Sequence, residues 1–190
     1  GGRLLTISIA TMVDNYNETV RKTVELSEKF TDITFLIVSQ KEENNIEFNI
    51  HRNIKIIKST TVGLSKSRNI AIDSTKSGWV WFQDDDIVLN DSNINLVLME
   101  LLTIKEHVYF VKVGSLENAS LYYKNYSHYA KHSNFNFFKI SSIEILVKID
   151  FIKKNEIRFN EALGLGTSYP CCEENKFIKD IFDITSLVHY

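Results

Sequence analysis

Along the first half of the chain, dense β-favouring runs alternate with segments of helical period. Leu4 to Ala10 (LLTISIA), Asp32 to Ser39 (DITFLIVS), Ile54 to Lys58 (IKIIK) and Trp79 to Phe82 (WVWF) have the length and apolar density of strands buried on both faces. Between them, Glu18 to Phe30 places Val20, Val24, Ser27 and Phe30 on one helical face. Ser65 to Lys76 predicts a second helix, stopped near Gly78, and the polar stretch around Glu42 to Asn45 predicts a loop. Strand, helix, strand with connections of this length predicts parallel pairing, the first half of a doubly wound α/β sheet. Farther on, Ile94 to Leu102 reads as an apolar helix, His107 to Val113 as a strand, and Phe135 to Phe151 as a returning strand and turn. The intervening Leu116 to Asn136 carries Tyr122, Tyr123, Tyr126, His128, Tyr129 and His132. Such a segment suits either stacking and hydrogen bonding to a ligand or a surface loop pinned by its tyrosines.

Composition narrows the class. At 190 residues, 44% of them hydrophobic, the chain has the apolar content for one sizeable core and the length of one domain. No apolar run approaches the roughly 20 residues that span a bilayer, and no leader-like segment precedes the first strand, so the expectation is a soluble, cytoplasmic protein. Lysine plus arginine (22) nearly balance aspartate plus glutamate (24), so no global field would hold nucleic acid, and any polyanion must be held locally. The two cysteines, Cys171 and Cys172, are adjacent; a bridge between neighbours is badly strained, which leaves two thiols in a reducing compartment.

Two patterns carry chemistry. The fourth strand runs into Asp84-Asp85-Asp86, and ligands of open α/β sheets bind outside the carboxyl ends of the strands. Three consecutive carboxylates there suit a hard cation, Mg2+ or Mn2+, or form a solvated acidic turn. Before that strand, Val62-Gly63-Leu64-Ser65-Lys66-Ser67-Arg68-Asn69 is a glycine turn opening a helix, where a helix N-terminus with Lys66 and Arg68 beside it suits a diphosphate. Alone it is equally an ordinary helix start with exposed basic residues.

Together these stretches are recognisable. GLSKSRNIAIDSTKSGWVWFQDDDIVL resembles the part of family 2 glycosyltransferases in which a G-L-S-x-A-R-N-type helix precedes a strand ending in D-x-D. The ISIAT and FLIVS strands fall in that family's order, and IRFNEALGLGTSYPCCEENKFIK, from Ile157 to Lys179, is similar to its second half, where an acidic pair heads a helix. The resemblance implies a GT-A-like, three-layer α/β/α sandwich with a mostly parallel central sheet. Its nucleotide- and metal-binding half would span about residues 1–90, and its acceptor-binding half about 91–190. It further implies a nucleotide-sugar donor, a divalent cation and inversion at the anomeric carbon, with a glycan or lipid-linked acceptor in bacterial surface polysaccharide synthesis. The acceptor or a partner would bring the enzyme to the inner face of the plasma membrane.

Residue by residue, the resemblance implies that Thr11, Asp14 and Asn15 cradle the nucleoside, and that Leu64, Ser65 and Arg68 serve the donor phosphates. Asp84 and Asp86 would hold the cation, with Asp85 facing either the metal or the sugar. Glu173 and Glu174 match the family's acidic pair, with Glu174 as the base. His189, in an L-V-H-type segment, is either a further metal ligand or a terminal histidine. Where many relatives carry an aspartate pair after the second strand, this chain has Ser39-Gln40-Lys41; Ser39 and Gln40 can still hydrogen-bond a base edge, and UDP is the family-weighted nucleotide. The chain stops where many relatives continue into C-terminal helices, as a truncated catalytic domain or a minimal member would. Two other functions fit strand-end carboxylates: a metal-dependent nucleotidyltransferase, whose glycine-rich basic N-terminal loop is missing, and a non-catalytic nucleotide-sugar-binding scaffold.

Overall fold

The computed structural model describes residues 3–86, 89–112 and 143–161. Within them, β1 (Leu5–Met12), α1 (Tyr16–Lys29), β2 (Thr34–Gln40), β3 (Ile46–His51), β4 (Ile54–Lys58), α2 (Leu64–Ser74) and β5 (Trp79–Asp84) form the first part of the fold. They are followed by α3 (Asp91–Leu101), β6 (Val108–Lys112), β7 (Ile143–Lys148) and the short α4 (Ile149–Lys154). The strands make one seven-stranded sheet in the order β3-β4-β2-β1-β5-β7-β6. Pairing is parallel from β4 through β2 and β1 to β5, as the strand-helix-strand rhythm predicts. β3 and β7 run against their neighbours.

Alternation along the strands sorts side chains into two cores. Leu5, Ile7 and Ile9 of β1 join Phe35, Ile37, Trp79 and Trp81 on the face packed by Ile94 and Val97 of α3 and by Val20 and Val24 of α1. Leu36, Val38, Val80 and Phe82 face the other way, against Ala71 and Ile72 of α2 and Ile149 and Ile152 of α4. Helices therefore cover both faces of a mostly parallel sheet, and the expected three-layer sandwich is present. Each fully buried Ile, Leu or Val contributes about 1.5–3 kcal/mol relative to leaving it exposed.

Two local features position the site. Gly78 turns α2 into β5 at φ +79°, and a Cβ there would stand 2.6 Å from the Arg3 carbonyl oxygen, so glycine alone fits the close approach of this turn to the backbone of Arg3 and Leu4. The expected loop around Glu42 to Asn45 is followed by a strand that was not expected: β3 is an edge strand with Phe48 and Ile50 packed against the core and the intervening positions exposed. Its alternation of Ile46, Phe48 and Ile50 with Glu47, Asn49 and His51 is the period of a strand wetted on one face.

Candidate functional site

Because β1, β2, β4 and β5 are parallel, their carboxyl ends fall on one edge of the sheet, where α2 also begins. Thr11 pairs in register with Ser39, and Ala10 with Asp84, so the ends expected to bind nucleoside and cation lie on adjacent strands. β5 continues through Asp84, which is half-buried, and the chain then turns, leaving Asp85 half-buried and Asp86 exposed.

Asp85 folds back across the strand edge. Its Oδ2 accepts from the Thr11 hydroxyl at 2.7 Å and from the Asn15 amide at 3.3 Å. Thr11 is almost wholly buried and its hydroxyl also meets that of Thr19 at 3.1 Å, so α1, β1 and the acidic turn are tied at one point. Asp14, in the turn between β1 and α1, is exposed beside this network. Thr11, Asn15 and Asp85 are thus brought together, with a bond between the nucleoside-side and acidic-side residues that local patterning does not reveal. Thr19 was not expected; its place one helical turn from Asn15 is the only sequence signal for it.

At the end of β2 the side chains serve the fold. The Ser39 hydroxyl donates to Glu42 Oε1 at 2.7 Å, and the Gln40 amide donates to the Gly63 carbonyl at 2.9 Å, fixing the loop that opens α2. Lys41 makes the intervening turn at φ 60°. Beyond them, the Lys58 ammonium sits 4.4 Å from the centre of the Tyr16 ring, and burial, with the Glu42 carboxylate nearby, raises the Tyr16 hydroxyl pKa. Glu42, Tyr16 and Lys58 therefore form a polar, aromatic-walled corner that the sequence did not single out.

Gly63 caps α2 at φ 123° and offers no side-chain acceptor to the first-turn amides, which suits an anion at the helix N-terminus. Leu64 is half-buried and Ser65 buried in that turn. Arg68, one turn on, holds its guanidinium 5.1 Å from the centre of the Phe159 ring. From the opposite face of the sheet, a cleft of about 560 Å³ between α1 and α3 reaches Asp84 and Asp85, with Lys22 and Lys29 on its α1 wall.

A divalent cation would find a hard, acceptor-only donor set in Asp84 and Asp86. No group of three or more His, Cys, Asp or Glu side chains converges as a complete cage among the described residues. Two carboxylates nevertheless fit Mg2+ or Mn2+ bound chiefly through substrate phosphates and water, the usual habit of Mg2+. Glu173, Glu174 and His189 lie outside the described residues, as do the tyrosine-rich segment and the cysteine pair.

The family model described as glycosyl transferase family 2 matches residues 8–164. No curated protein matches the chain. Among solved structures, S. aureus TarS 1–349 in complex with UDP-GlcNAc superposes with a TM-score of 0.61 at 15% identity, covering 93% of this chain and 52% of that one. A second structure of TarS 1–349 gives 0.53 at 15% identity over 85% of this chain and 52% of its own. A longer TarS structure gives 0.55 over 84% and 31%. These likenesses show the shared fold, and the chain spans about half or less of the length of the structures it matches.

Proposed function

As the chain belongs to glycosyl transferase family 2, we propose that it transfers a sugar from a nucleotide-sugar donor to a hydroxyl of a glycan or lipid-linked acceptor, with inversion at the anomeric carbon. A UDP-sugar is the favoured donor, and a structural neighbour crystallised with UDP-GlcNAc supports that choice. The observation that carries the reading is the Asp85 network. A carboxylate of the acidic strand end is hydrogen-bonded to Thr11 and Asn15, on the same sheet edge as the N-terminus of α2. Polar and acidic side chains suited to a nucleoside and a sugar thus share one sheet edge with a helix N-terminus suited to a phosphate, which supports a nucleotide-sugar as the ligand.

In the transfer, the acceptor oxygen bonds to the anomeric carbon as the bond from that carbon to the diphosphate oxygen breaks. The nucleoside diphosphate departs with the electron pair, and the acceptor proton passes to a base. Glu174 is proposed for that base and Glu173 as its neighbour in the acidic pair. Asp84 and Asp86 would hold Mg2+ or Mn2+, which when bound supplies Lewis-acid compensation for the charge growing on the leaving group. His189 is a further candidate ligand. Arg68 and the first-turn amides of α2, at Leu64 and Ser65, would meet the same phosphates with fixed positive charge. Asp14, Ser39 and Gln40 border the nucleoside end. Bacterial surface polysaccharide remains the proposed product class, with the acceptor or a partner bringing the enzyme to the membrane face; no described helix is long and apolar enough to cross a membrane.

Calorimetric titration with UDP, GDP and CDP, with and without Mn2+, followed by donor hydrolysis on a nucleotide-sugar panel, tests the proposal. UDP is expected to bind most tightly, and only with the cation present. Failure of every nucleotide to bind in Mn2+ would sink the transferase reading. Glu174→Gln is expected to keep UDP binding and lose transfer, while Asp86→Ala loses cation-dependent binding.

A further inference from the structure

Ninety residues separate Asn69 from Phe159, yet the two are locked together by a pair of hydrogen bonds. The Asn69 amide nitrogen donates to the Phe159 carbonyl at 2.8 Å, and the Phe159 N–H donates to the Asn69 amide oxygen at 2.9 Å. Asn69 is 2% exposed and Phe159 2% exposed, so both bonds are shielded from water. A side-chain amide that satisfies both backbone groups of one residue fixes that residue in position and orientation. Arg158 adds a second tie to α2, its guanidinium forking onto both Asp73 carboxylate oxygens at 2.6 and 3.0 Å.

What these ties hold in place is the Phe159 ring. One side of it meets Phe82 edge to face, centroids 5.4 Å apart and planes at 83°. Phe82 lies two positions before Asp84 on β5, hence on the same face of that strand. The ring also carries the Arg68 guanidinium, 5.1 Å from its centre. Arg68 and Asn69 are consecutive on α2, so one residue of the pair grips the backbone beneath the ring on which the other rests.

We propose that Phe159 is a positioning residue for Arg68, and that Asn69 is a positioning residue for Phe159. The segment 157–161 thereby sets the cation that serves the donor diphosphate, a role that rests on the transferase reading above. A long, flexible arginine loses side-chain entropy when it is fixed at a phosphate. An aromatic platform that holds the guanidinium beforehand removes part of that cost from the binding step. The arrangement also links the two halves of the chain, because the platform comes from the part that leads on toward Glu173 and Glu174.

The test uses the full chain, with UDP in Mn2+ as the probe, and the Arg68 Nε–H resonance in a 15N-correlated NMR spectrum as a second readout that needs no nucleotide. In the wild type, the ring current of Phe159 shifts the Arg68 signal away from that of a solvent-exposed arginine. Phe159→Leu is expected to return it toward the exposed value and to weaken UDP binding about fivefold, the scale of a partly shielded cation–π contact. Phe159→Trp is expected to restore both, and Asn69→Asp, which sets a carboxylate against the Phe159 carbonyl, to move the Arg68 signal with the ring still present. In an Arg68→Ala background Phe159→Leu is expected to weaken UDP no further, the non-additivity that general core loosening does not produce.

A cooperatively folded Phe159→Leu variant that binds UDP within twofold of wild type, or that weakens it equally with and without Arg68, overturns the positioning role. An unmoved Arg68 resonance in Phe159→Leu overturns it as well, and an unmoved one in Asn69→Asp overturns the part assigned to Asn69. If the wild type binds no nucleotide, the transferase reading fails, and the Arg68 resonance alone still decides whether Phe159 holds the guanidinium.

Discussion

Asp85 accepts two hydrogen bonds through one oxygen, and the shorter, 2.7 Å from a buried threonine, sets its direction. Replacing Thr11 by valine keeps the shape and removes the donor. A hydrogen bond to a charged group contributes about 1.5–3 kcal/mol, so Thr11→Val is expected to destabilise the fold by about that amount and to lower UDP affinity as Asp85 swings free. Urea unfolding and calorimetry measure the two effects; unchanged UDP affinity in a destabilised protein would confine Thr11 to the fold. A second residue-scale expectation concerns pH. Hydrogen bonds from Arg158 hold the Asp73 carboxyl below its usual range, with the opposing effect of burial smaller. A carboxyl depressed in the folded state lends stability above its unfolded pKa, near 4, and loses it as pH falls through the lower folded value. The pair is largely exposed, with side chains 47% and 59% accessible, so its worth is about 0.5–1 kcal/mol even with fork geometry. Asp73→Asn should therefore lower Tm at pH 7, and the difference should shrink as pH falls below the unfolded pKa and through the lower folded one; a difference that persists in acid would assign the effect to packing.

At the scale of elements, the turn from α2 into β5 decides whether the acidic strand end lands beside β1. Gly78→Ala would place a methyl group 2.6 Å from one carbonyl oxygen and 2.7 Å from the next, both backbone atoms, at a φ that alanine resists. A loss of at least about 1–2 kcal/mol is expected from conformation and contact together, read as a lower urea midpoint at unchanged slope. The stop near Gly78 was visible in the sequence, as were the four parallel strands and both of the first two helices, because buried strands and amphipathic helices write their period locally. β3 was not read, although Ile46, Phe48 and Ile50 alternate, because its other positions are charged or amide residues and the flanking Glu42 to Asn45 has the polarity of a loop. The candidate site divides on the same line. Thr11, Asn15, Asp85 and the α2 start were legible as motifs at strand ends. The Asn69 clamp on Phe159 and the Asn53 amide, which donates to the carbonyls of Ser27, Phe30 and Ile33, were not legible. An asparagine carries no local mark of which distant backbone it will satisfy, and only the topology brings such partners together.

For the whole molecule, the near-balance of charge constrains how a diphosphate is held. A formal net charge of -2 gives no long-range field to draw in an anion, and the acidic turn at Asp84, Asp85 and Asp86 locally opposes one. Affinity must then come from short-range contacts: a bound divalent cation, the first turn of α2, and Arg68 on its aromatic platform. Contacts of a few ångströms lie well inside the Debye length, about 10 Å at 0.1 M ionic strength, and partly buried pairs are screened less than surface ones. UDP affinity in saturating Mn2+ is therefore expected to change by no more than about threefold between 50 and 300 mM NaCl, and to fall at least about tenfold at either salt concentration when EDTA removes the metal. Isothermal titration at the four conditions measures both. A steep salt dependence with little effect of EDTA would mean that scattered basic side chains hold the nucleotide, and would remove Asp84 and Asp86 from the role proposed for them. The opposite pattern would tie the acidic strand end to the phosphates through an imported cation, which is how a slightly negative protein can bind a diphosphate whose negative charge grows as it leaves.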